Sequence, residues 1–451
     1  MPGRSFGGRR RVCSVAIFDG DGAPFGTAER APHRPGNELC RSQHWLSVHG
    51  WALSASPRGR VPDAVRSVAA DPEPEHVDIG RSVAAPTARP AHLRADRPHR
   101  RAARRAAAHR GKIGGPSVVR LDVVPLSVLD LVPVGSGASA TDALAASTAL
   151  ARRVDELGYQ RYWLAEHHGM PGIASSAPAV IIAHIAAATT RIRVGSGGVM
   201  LPNHQPLVVA EQFGILDALH PGRIDLGIGR APGTDQRTAR ALRRGTSPLG
   251  ADDFPDQLVE LVSYFRGDGP VLAVPATGAQ PAIWLLGSSD YSAQVAGMLG
   301  LPFAFAHHFA AENTIPALTL YRERFQPSAV LQQPYAMIAA AVFAAETDEE
   351  ARRLALPSAI QFLQLRKGNP GLLPSPEEAA AHELSDFERA FVEDRMSQQI
   401  IGSPDTVREG VTELLERTEA DELMIVTAMH GAADRIRSYE IVHEALVGAP
   451  V

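Results

Sequence analysis

Residues 191–230 read RIRVGSGGVMLPNHQPLVVAEQFGILDALHPGRIDLGIGR, and this stretch carries the pattern on which the predicted fold depends. Its first part, Arg191 to Val199, is short, apolar and β-branched, as expected of a strand that is buried on both faces. Residues 207–219 place apolar side chains at helical spacing, and the His-Pro-Gly that follows ends this helix because proline cannot continue it. Ile224 to Gly229 is a second buried strand. The stretch is therefore predicted to be a strand–helix–strand unit.

Strands and helices alternate in this way along most of the chain. The eight predicted strands cover residues 118–130, 161–165, 191–199, 224–229, 283–286, 302–306, 335–344 and 423–427. This alternation predicts an α/β fold, a (β/α)8 TIM barrel with insertions, and leaves an open doubly wound sheet as the alternative. In a barrel, the residues that follow the strands meet at one mouth, where ligands bind. Residues 367–386 are rich in Pro and Gly and are predicted to be an insertion or lid.

Composition and charge argue against several classes of function. The chain has 451 residues, 45% of them hydrophobic, and a net charge of −4, which favours a globular protein without a nucleic-acid partner. No apolar run reaches the roughly 18–20 residues of a membrane span. Cys13 and Cys40 are the only cysteines and lie in the N-terminal part, so we expect no disulfide or thiolate metal site in the core. We predict a cytoplasmic protein without a bound metal.

Residues 1–117 differ in composition from the rest. They are dense in Arg, Pro, Ala, Gly and His, show no helical or strand period, and end in the basic run 97–110. Such a segment buries too little apolar surface to offset its chain entropy, so we predict a disordered low-complexity extension and one barrel domain at 118–451. A nucleic-acid-binding arm and an export signal at Arg9–Arg11, which lacks an apolar region, are alternatives. We favour a third interpretation, that the region is translated upstream of the true start.

His167 is the candidate catalytic residue. It lies in Glu166-His167-His168, directly after a predicted strand, and an imidazole at a barrel mouth can exchange protons near neutral pH. Adjacent histidines in a loop point in different directions and make a poor metal pair. The alternative is that one or both histidines only form hydrogen bonds within the loop.

Glycines dominate the third strand at Gly195-Ser196-Gly197-Gly198. Without a Cβ, this backbone can lie against something large and flat, while the alternative is an ordinary bulge at a barrel rim. Gly227 to Gly233 shows the spacing GxGxxxG rather than GxGxxG, and no acidic residue ends a following strand. We therefore interpret it as a weak dinucleotide-binding signal.

Two features predict a phosphate site. Arg230 comes directly after a strand, where a guanidinium can clamp a phosphate. Gly287, Ser288 and Ser289 lie between a strand and a helix, where backbone N–H groups and hydroxyls can hold an anion. A rim salt bridge for Arg230 and simple helix capping by Ser289 are the alternatives. No nucleophile with a paired base is evident in the sequence.

Together these residues resemble the bacterial luciferase-like flavin-dependent monooxygenase superfamily, in particular its single-component luciferase-like oxidoreductase branch. The resemblance covers about Leu121 to Val447. It is carried by the order of several segments, at residues 162–168, 195–206, 210–230, 284–301 and 421–426. The resemblance implies a (β/α)8 barrel, a monooxygenase that uses reduced FMN and O2 on a small organic substrate, a separate flavin reductase, and a homodimer.

The resemblance also implies roles for residues of this chain. His167 matches the position that handles protons around the reduced flavin. Gly197-Gly198 matches a place where the family often has a non-proline cis peptide under the flavin ring. Arg230 matches a flavin-phosphate arginine, and Gly287, Ser288 and Ser289 match the phosphate loop.

Departures from the family and rival functions complete the prediction. Luciferases proper have a cysteine near the flavin and a long mobile loop, whereas this barrel has no thiol and no such loop can be identified, so bioluminescence is not expected. Three alternatives stay open: hydride transfer with a deazaflavin and no O2, a non-catalytic flavin-binding protein, and a nicotinamide dehydrogenase with an open sheet.

Overall fold

The computed structural model describes residues 121, 124–231, 234–242 and 253–448. The predicted extension at 1–117 lies outside these ranges, as do Pro232 and Gly233 of the loop after the fourth strand. One barrel domain at 118–451 therefore stays a prediction at its two ends.

Eight parallel strands close into a ring, as the alternation of the sequence predicts. They are β1 (Leu126–Asp130), β2 (Arg161–Leu164), β3 (Arg193–Met200), β4 (Ile224–Gly229), β5 (Ala282–Gly287), β6 (Phe303–Phe305), β7 (Ala336–Ala344) and β9 (Glu422–Val426). Neighbours along the chain pair from β1 to β7, and β9 then pairs with both β7 and β1. The open-sheet alternative is wrong, because β1 and β6 both have a partner on each side.

Helices follow the strands and surround the ring. They are α1 (Ala140–Leu157), α2 (Pro178–Ala188), α3 (Pro206–Leu219), α4 (Gln236–Leu242), α5 (Phe254–Arg266), α6 (Asp290–Met298), α7 (Thr314–Arg324), α8 (Asp348–Arg366), α9 (Pro376–Ala380), α10 (Asp386–Ser397), α11 (Pro404–Thr418) and α12 (Ala432–Leu446). Among the residues that the structure describes, no helix is long and apolar enough to span a membrane.

Consecutive strand residues pack into two different cores, as the two-residue period of a strand requires. Val128 and Tyr162 belong to the layer between the ring and its helices, whereas Leu129 and Trp163 point into the ring. Inside the ring, Trp163 and Trp284 meet edge to face with their centres 5.3 Å apart. The interior is thus a packed core rather than a channel.

The segment between β7 and α11 is more regular than predicted. Residues 367–386 include α9, and α10 follows directly. A third element, β8 (Ile400–Gly402), pairs with the end of β7 outside the ring. The short β8 was not predicted from the sequence, and the insertion is a helical layer packed on α8.

Candidate active site

The carboxyl ends of the ring strands form one mouth, and all seven predicted site residues lie at this end. His167 follows β2 and Arg230 directly follows β4. Gly197 and Gly198 lie in the second half of β3, and Gly287 is the last residue of β5, with Ser288 and Ser289 after it. Strands β2 to β5 are consecutive neighbours in the ring. The fold therefore brings these residues together at one edge, while their individual roles stay predictions.

Glu166 organises the loop that carries His167. Its side chain is fully buried, and its Oε1 accepts hydrogen bonds from His168 Nε2 at 3.0 Å and from His204 Nε2 at 2.8 Å. Its Oε2 accepts the backbone N–H of Met200 at 3.1 Å. One carboxylate thus joins the loop after β2 to the end of β3 and the residues beyond it.

The same contacts determine the charge of Glu166. Burial alone raises its pKa, but the hydrogen bonds from His168 and His204 outweigh burial and lower the pKa to about 2. Glu166 is therefore ionised at neutral pH. Because His168 and His204 both donate to this carboxylate, their side chains hold the loops together.

His167 is placed differently from its neighbour His168. It is only partly buried, and its backbone N–H donates to Ser175 O at 2.9 Å, which holds the turn of the loop. His308, after β6, donates from Nδ1 to Ala339 O at 3.0 Å. Burial lowers the pKa of His308 to about 4, and the nearby charges of Arg395, His307 and His167 contribute to this. His308 is therefore a neutral ring close to His167 at neutral pH.

The glycine-rich strand β3 is irregular at the predicted position. The Gly197–Gly198 peptide bond is cis, and the pairing of β3 with β4 shifts between Ser196 and Val199. A Cβ on Gly198 would lie 2.8 Å from Gly227 O, and a Cβ on Gly197 would lie 2.5 Å from Leu129 Cδ1. Both the bulge and the cis bond that were expected here are present, and neighbouring atoms leave no room for side chains.

Arg230 and the loop after β5 meet at adjacent strand ends. The guanidinium carbon of Arg230 lies 4.0 Å from the centre of the Tyr291 ring, in the first turn of α6. Ser289 is the N-cap of α6, but its side chain accepts none of the N–H groups of that turn, whereas Ser139, Thr347 and Ser385 do so in their helices. A cation and the start of a helix thus converge, which is the chemistry of a phosphate site.

Gly287 explains how the chain turns into α6. A Cβ at this position would lie 2.5 Å from Ser292 Cβ, so the strand must end in glycine for the first turn of α6 to fold back against it. Ser288 and Ser289, in this turn, are half-buried.

The insertion borders the same mouth. Backbone hydrogen bonds join Leu373 to Val134 and Ser136 in the loop after β1. Gly172, in the loop after β2, approaches Gln361 and the backbone of Gly371 so closely that a Cβ would overlap both. The end of α8 and the start of the insertion therefore form part of the wall of the site.

Asp130 does not belong to the mouth, although the sequence places it at the end of β1. Its carboxylate accepts hydrogen bonds from Ser147 of α1, at 2.6 Å, and from Tyr162, and it pairs with Arg435 of α12 at 2.6 Å. These contacts hold helices against the outside of the ring. Although the barrel rule would place the residue at the end of a strand at the mouth, the strand period turns the side chain of Asp130 outward.

Comparison with known proteins agrees with this architecture. Residues 124–422 match the model of the luciferase-like monooxygenase family. The chain belongs to the luciferase-like monooxygenase family. The members of this family are oxidoreductases, so this barrel is the fold of an enzyme.

Two named relatives can be aligned with this chain over almost their whole length. A luciferase-like monooxygenase of Escherichia coli K12 is 47% identical over 331 residues, which are 72% of this chain and 98% of the relative. The N-acetyl-S-alkylcysteine monooxygenase of Bacillus subtilis is 34% identical over 336 residues, or 72% of this chain and 99% of the relative.

Solved structures share the fold over the same part. Apo-MsnO8 has 38% sequence identity and a TM-score of 0.66, and the match covers 73% of this chain and all of MsnO8. The oxygenating constituent of 3,6-diketocamphane monooxygenase from Pseudomonas putida, solved in complex with FMN, has 20% identity and a TM-score of 0.56, over 72% of this chain and 98% of its own. The second likeness is one of fold alone.

Three residues in or near the candidate site were not singled out from the sequence. Glu166 was noted only as part of a motif, and its bonds to His204 join loops that are distant in sequence. Tyr291 contacts Arg230 across two strand ends, a contact that the sequence does not predict. Arg395 lies on α10, in a segment whose helix was not predicted, although Ser385 and Glu388 form a capping box that marks its start. Within the described ranges, no group of three or more His, Cys, Asp or Glu side chains could hold a metal ion.

Proposed function

We propose that this chain is a flavin-dependent monooxygenase that binds reduced FMN at the barrel mouth and uses O2 to oxygenate a small organic substrate. The observation that carries the proposal is the convergence of Arg230 with the first turn of α6. His167 stands after β2 at the same end of the ring. Family membership and the FMN bound to the P. putida protein support the choice of flavin.

The residues at the mouth fit the phosphate tail of FMN. A phosphate between Arg230 and α6 would accept charge-assisted hydrogen bonds from the guanidinium and bonds from the N–H groups that Ser289 leaves uncapped. Tyr291 holds the guanidinium from one side, which reduces the number of conformations that Arg230 loses when an anion binds. Ser288 and Ser289 add hydroxyl donors.

The flavin ring is proposed to lie against the Gly197–Gly198 backbone. The glycines give β3 a bare main chain, whose N–H and C=O groups can approach a flat ring without an intervening Cβ. When bound, reduced FMN supplies the electrons that activate O2. The protein supplies binding, orientation and exclusion of water, and the insertion beside the mouth contributes to that exclusion.

His167 is proposed to hold and move the proton at the reacting centre. Glu166 is engaged by His168 and His204, so it fixes the loop rather than acting on the substrate itself. The neutral ring of His308 adds no positive charge beside His167. We assign the proton exchange to the imidazole of His167 because it follows β2 at the barrel mouth. A separate reductase is proposed to supply the reduced FMN.

Titration of the purified full chain tests the cofactor. Reduced FMN is added without oxygen, with riboflavin and a reduced deazaflavin in parallel, and air and a candidate substrate are then admitted while oxygenated product is measured against a sample without protein. We expect the chain to bind reduced FMN and to form oxygenated product only when FMN, O2 and protein are all present. Binding of the deazaflavin but not FMN, with substrate turned over in the absence of O2, would instead support hydride transfer, and FMN binding without product from any substrate would support a non-catalytic protein.

His167→Ala tests the proton role, with His184→Ala as the matched control because His184 is an exposed histidine on α2. N-acetyl-S-methylcysteine is the first substrate to try, since the B. subtilis relative is named for that class. General acid–base catalysis contributes roughly 10²–10⁴ in rate, so we expect a loss of that order with unchanged FMN affinity. Full turnover by His167→Ala would remove His167 from the mechanism.

A further inference from the structure

Arg395 of α10 is a half-buried arginine whose charge has no carboxylate to balance it within the described part of the chain. Its guanidinium carbon lies 4.4 Å from the centre of the Phe362 ring. It forms no ion pair and donates no hydrogen bond to a residue that the structure describes, although two glutamates lie on the same helix. Those glutamates are already paired, Glu393 with Arg352 and Glu388 with Lys367.

The surroundings of Arg395 are apolar as well as charged. Phe391, one helical turn earlier, stacks on Phe362 with the ring centres 6.1 Å apart and the planes within 8°. Phe362 and Phe391 are both half-buried, and Phe362 belongs to the end of α8 that borders the mouth. The two rings and the guanidinium thus form one surface, which we call the Arg395 surface, with an apolar part and a single positive charge.

Arg395 lies near His308, which in turn lies near the candidate catalytic residue His167. The charge of Arg395 is close enough to His308 to contribute to the low pKa of that ring, and His167 acts on His308 in the same way. Burial also lowers the pKa of Arg395, as expected where a cation is withdrawn from water without a partner. A positive charge that is removed from water without a partner destabilises the fold unless a bound anion pairs with it.

We propose that Arg395 binds the acidic group of the substrate, so that this enzyme takes small organic anions, carboxylates first, whose apolar part lies on Phe362 and Phe391. The proposal rests on the proposed function, because it names the substrate class of that same site. A guanidinium matches a carboxylate with two parallel hydrogen bonds, and Phe362 already holds the guanidinium plane. The flavin phosphate is assigned to Arg230 at a different strand end, which leaves Arg395 for the substrate.

The test compares four proteins: wild type, Arg395→Gln, Arg395→Lys and Arg389→Gln. Arg389 is an exposed arginine on the same helix, so Arg389→Gln removes an equal charge from the surface. Calorimetry on the FMN-loaded enzyme measures the binding affinities of hexanoate, octanoate, phenylacetate and 3-phenylpropanoate. The affinity of each carboxylate is compared with that of its uncharged primary amide. FMN and riboflavin affinities are measured for every protein first.

We expect wild type to bind at least one carboxylate roughly tenfold to a hundredfold more tightly than its amide, the range of a charge-assisted pair. Arg395→Gln should abolish this preference, Arg395→Lys should keep part of it, and Arg389→Gln should keep all of it. The proposal is overturned if no pair shows a preference in wild type or if the preference survives in Arg395→Gln. The proposal is also overturned if Arg395→Gln weakens the binding of FMN but not that of riboflavin, because Arg395 would then hold the flavin phosphate.

Failure of the flavin assignment gives a different result from failure of the Arg395 assignment. If wild type binds no FMN, the proposed function fails, and the carboxylate and amide pairs are measured on the flavin-free chain. A preference that depends on Arg395 there would still establish the anion site. No preference there would overturn it.

Discussion

The guanidinium carbon of Arg230 lies 4.0 Å from the centre of the Tyr291 ring, so the residue directly after β4 is held by the first turn of the helix that follows β5. A cation over an aromatic face is attracted by the ring and loses freedom of movement. The position of this charge is therefore determined before any ligand binds, and this preorganisation makes the substitution of Arg230 informative.

Arg230→Gln should weaken the binding of FMN more than that of riboflavin, because only FMN carries a phosphate. Hydrogen bonds to charged groups contribute about 1.5–3 kcal/mol, which predicts a loss of FMN affinity of roughly tenfold to a hundredfold. Fluorescence titration with both flavins measures the difference. Arg324→Gln, at an exposed position at the far end of α7, is the control. An equal loss for FMN and riboflavin would place Arg230 away from the phosphate.

Most of the fold could be predicted from sequence because each ring strand is a short apolar run bounded by Gly, Pro or polar residues. The prediction was less accurate where an element is short or capped by unexpected residues. The three residues of β8 are too few to show a period. Thr141 also looks like a helix N-cap in the sequence, but the N-cap of α1 is Ser139, which forms a capping box with Asp142.

The site could be predicted only as far as the strand ends. The barrel rule places Arg230 and Gly287 at one mouth, since both follow strands that are neighbours. It does not predict that Glu166 bonds His204, because that contact depends on how two loops fold over each other. Nor does it predict that Arg395, on a helix inserted after β7, lies near enough to His308 to influence its charge.

Gly227→Ala should destabilise the barrel at the position where β3 and β4 approach most closely. A Cβ on Gly227 would lie 2.1 Å from Ser196 O, a backbone atom that cannot move without displacing β3. Overpacking of this kind typically costs about 1–3 kcal/mol in unfolding free energy. Urea unfolding measures the loss. Gly371→Ala, where a Cβ meets nothing within 4 Å, should change stability by less than about 0.5 kcal/mol.

An unchanged unfolding free energy in Gly227→Ala would show that β3 and β4 adjust more easily than their spacing implies. If Gly371→Ala lost as much unfolding free energy as Gly227→Ala, an added methyl group would be destabilising even where it meets no neighbouring atom. The loss in Gly227→Ala could then not be attributed to the contact between β3 and β4.

Glu166→Gln should change how stability depends on pH. The folded pKa of Glu166 is lowered to about 2 from 4.5, so the ionised carboxylate stabilises the fold. This stabilisation is fully present above about pH 4.5 and is lost as the pH falls towards about 2. Above pH 5, the unfolding free energy of wild type should therefore exceed that of Glu166→Gln by up to roughly 3 kcal/mol. This difference should become smaller as the pH falls.

Urea unfolding at several pH values between 2 and 6 measures this gap for Glu166→Gln. Glu416→Gln, an exposed position on α11, should give a small difference from wild type at every pH. A constant gap for Glu166→Gln would mean that the bonds from His168 and His204 do not depend on the ionised carboxylate.

Arg161→Met should destabilise the amino-terminal end of the barrel without changing the site. Arg161 is buried, and it donates to Glu422 at 2.8 Å and to Asp225 at 2.9 Å. Burial alone raises the pKa of Asp225, but the charges of Arg193 and Arg161 hold it well below its ordinary value. Removing one partner of a buried pair leaves an uncompensated charge, which typically costs about 3–5 kcal/mol.

The exposed pair between Arg352 and Glu393 provides the matched comparison for Arg161→Met. Both of its side chains are more than half exposed, so Arg352→Met should cost less than about 1 kcal/mol. Urea unfolding compares the two variants, and flavin titration checks the site in each. Because Arg161 begins β2 while His167 follows its other end, FMN affinity should survive in folded Arg161→Met. A loss of FMN binding at full stability would show that the buried network positions the mouth rather than the fold.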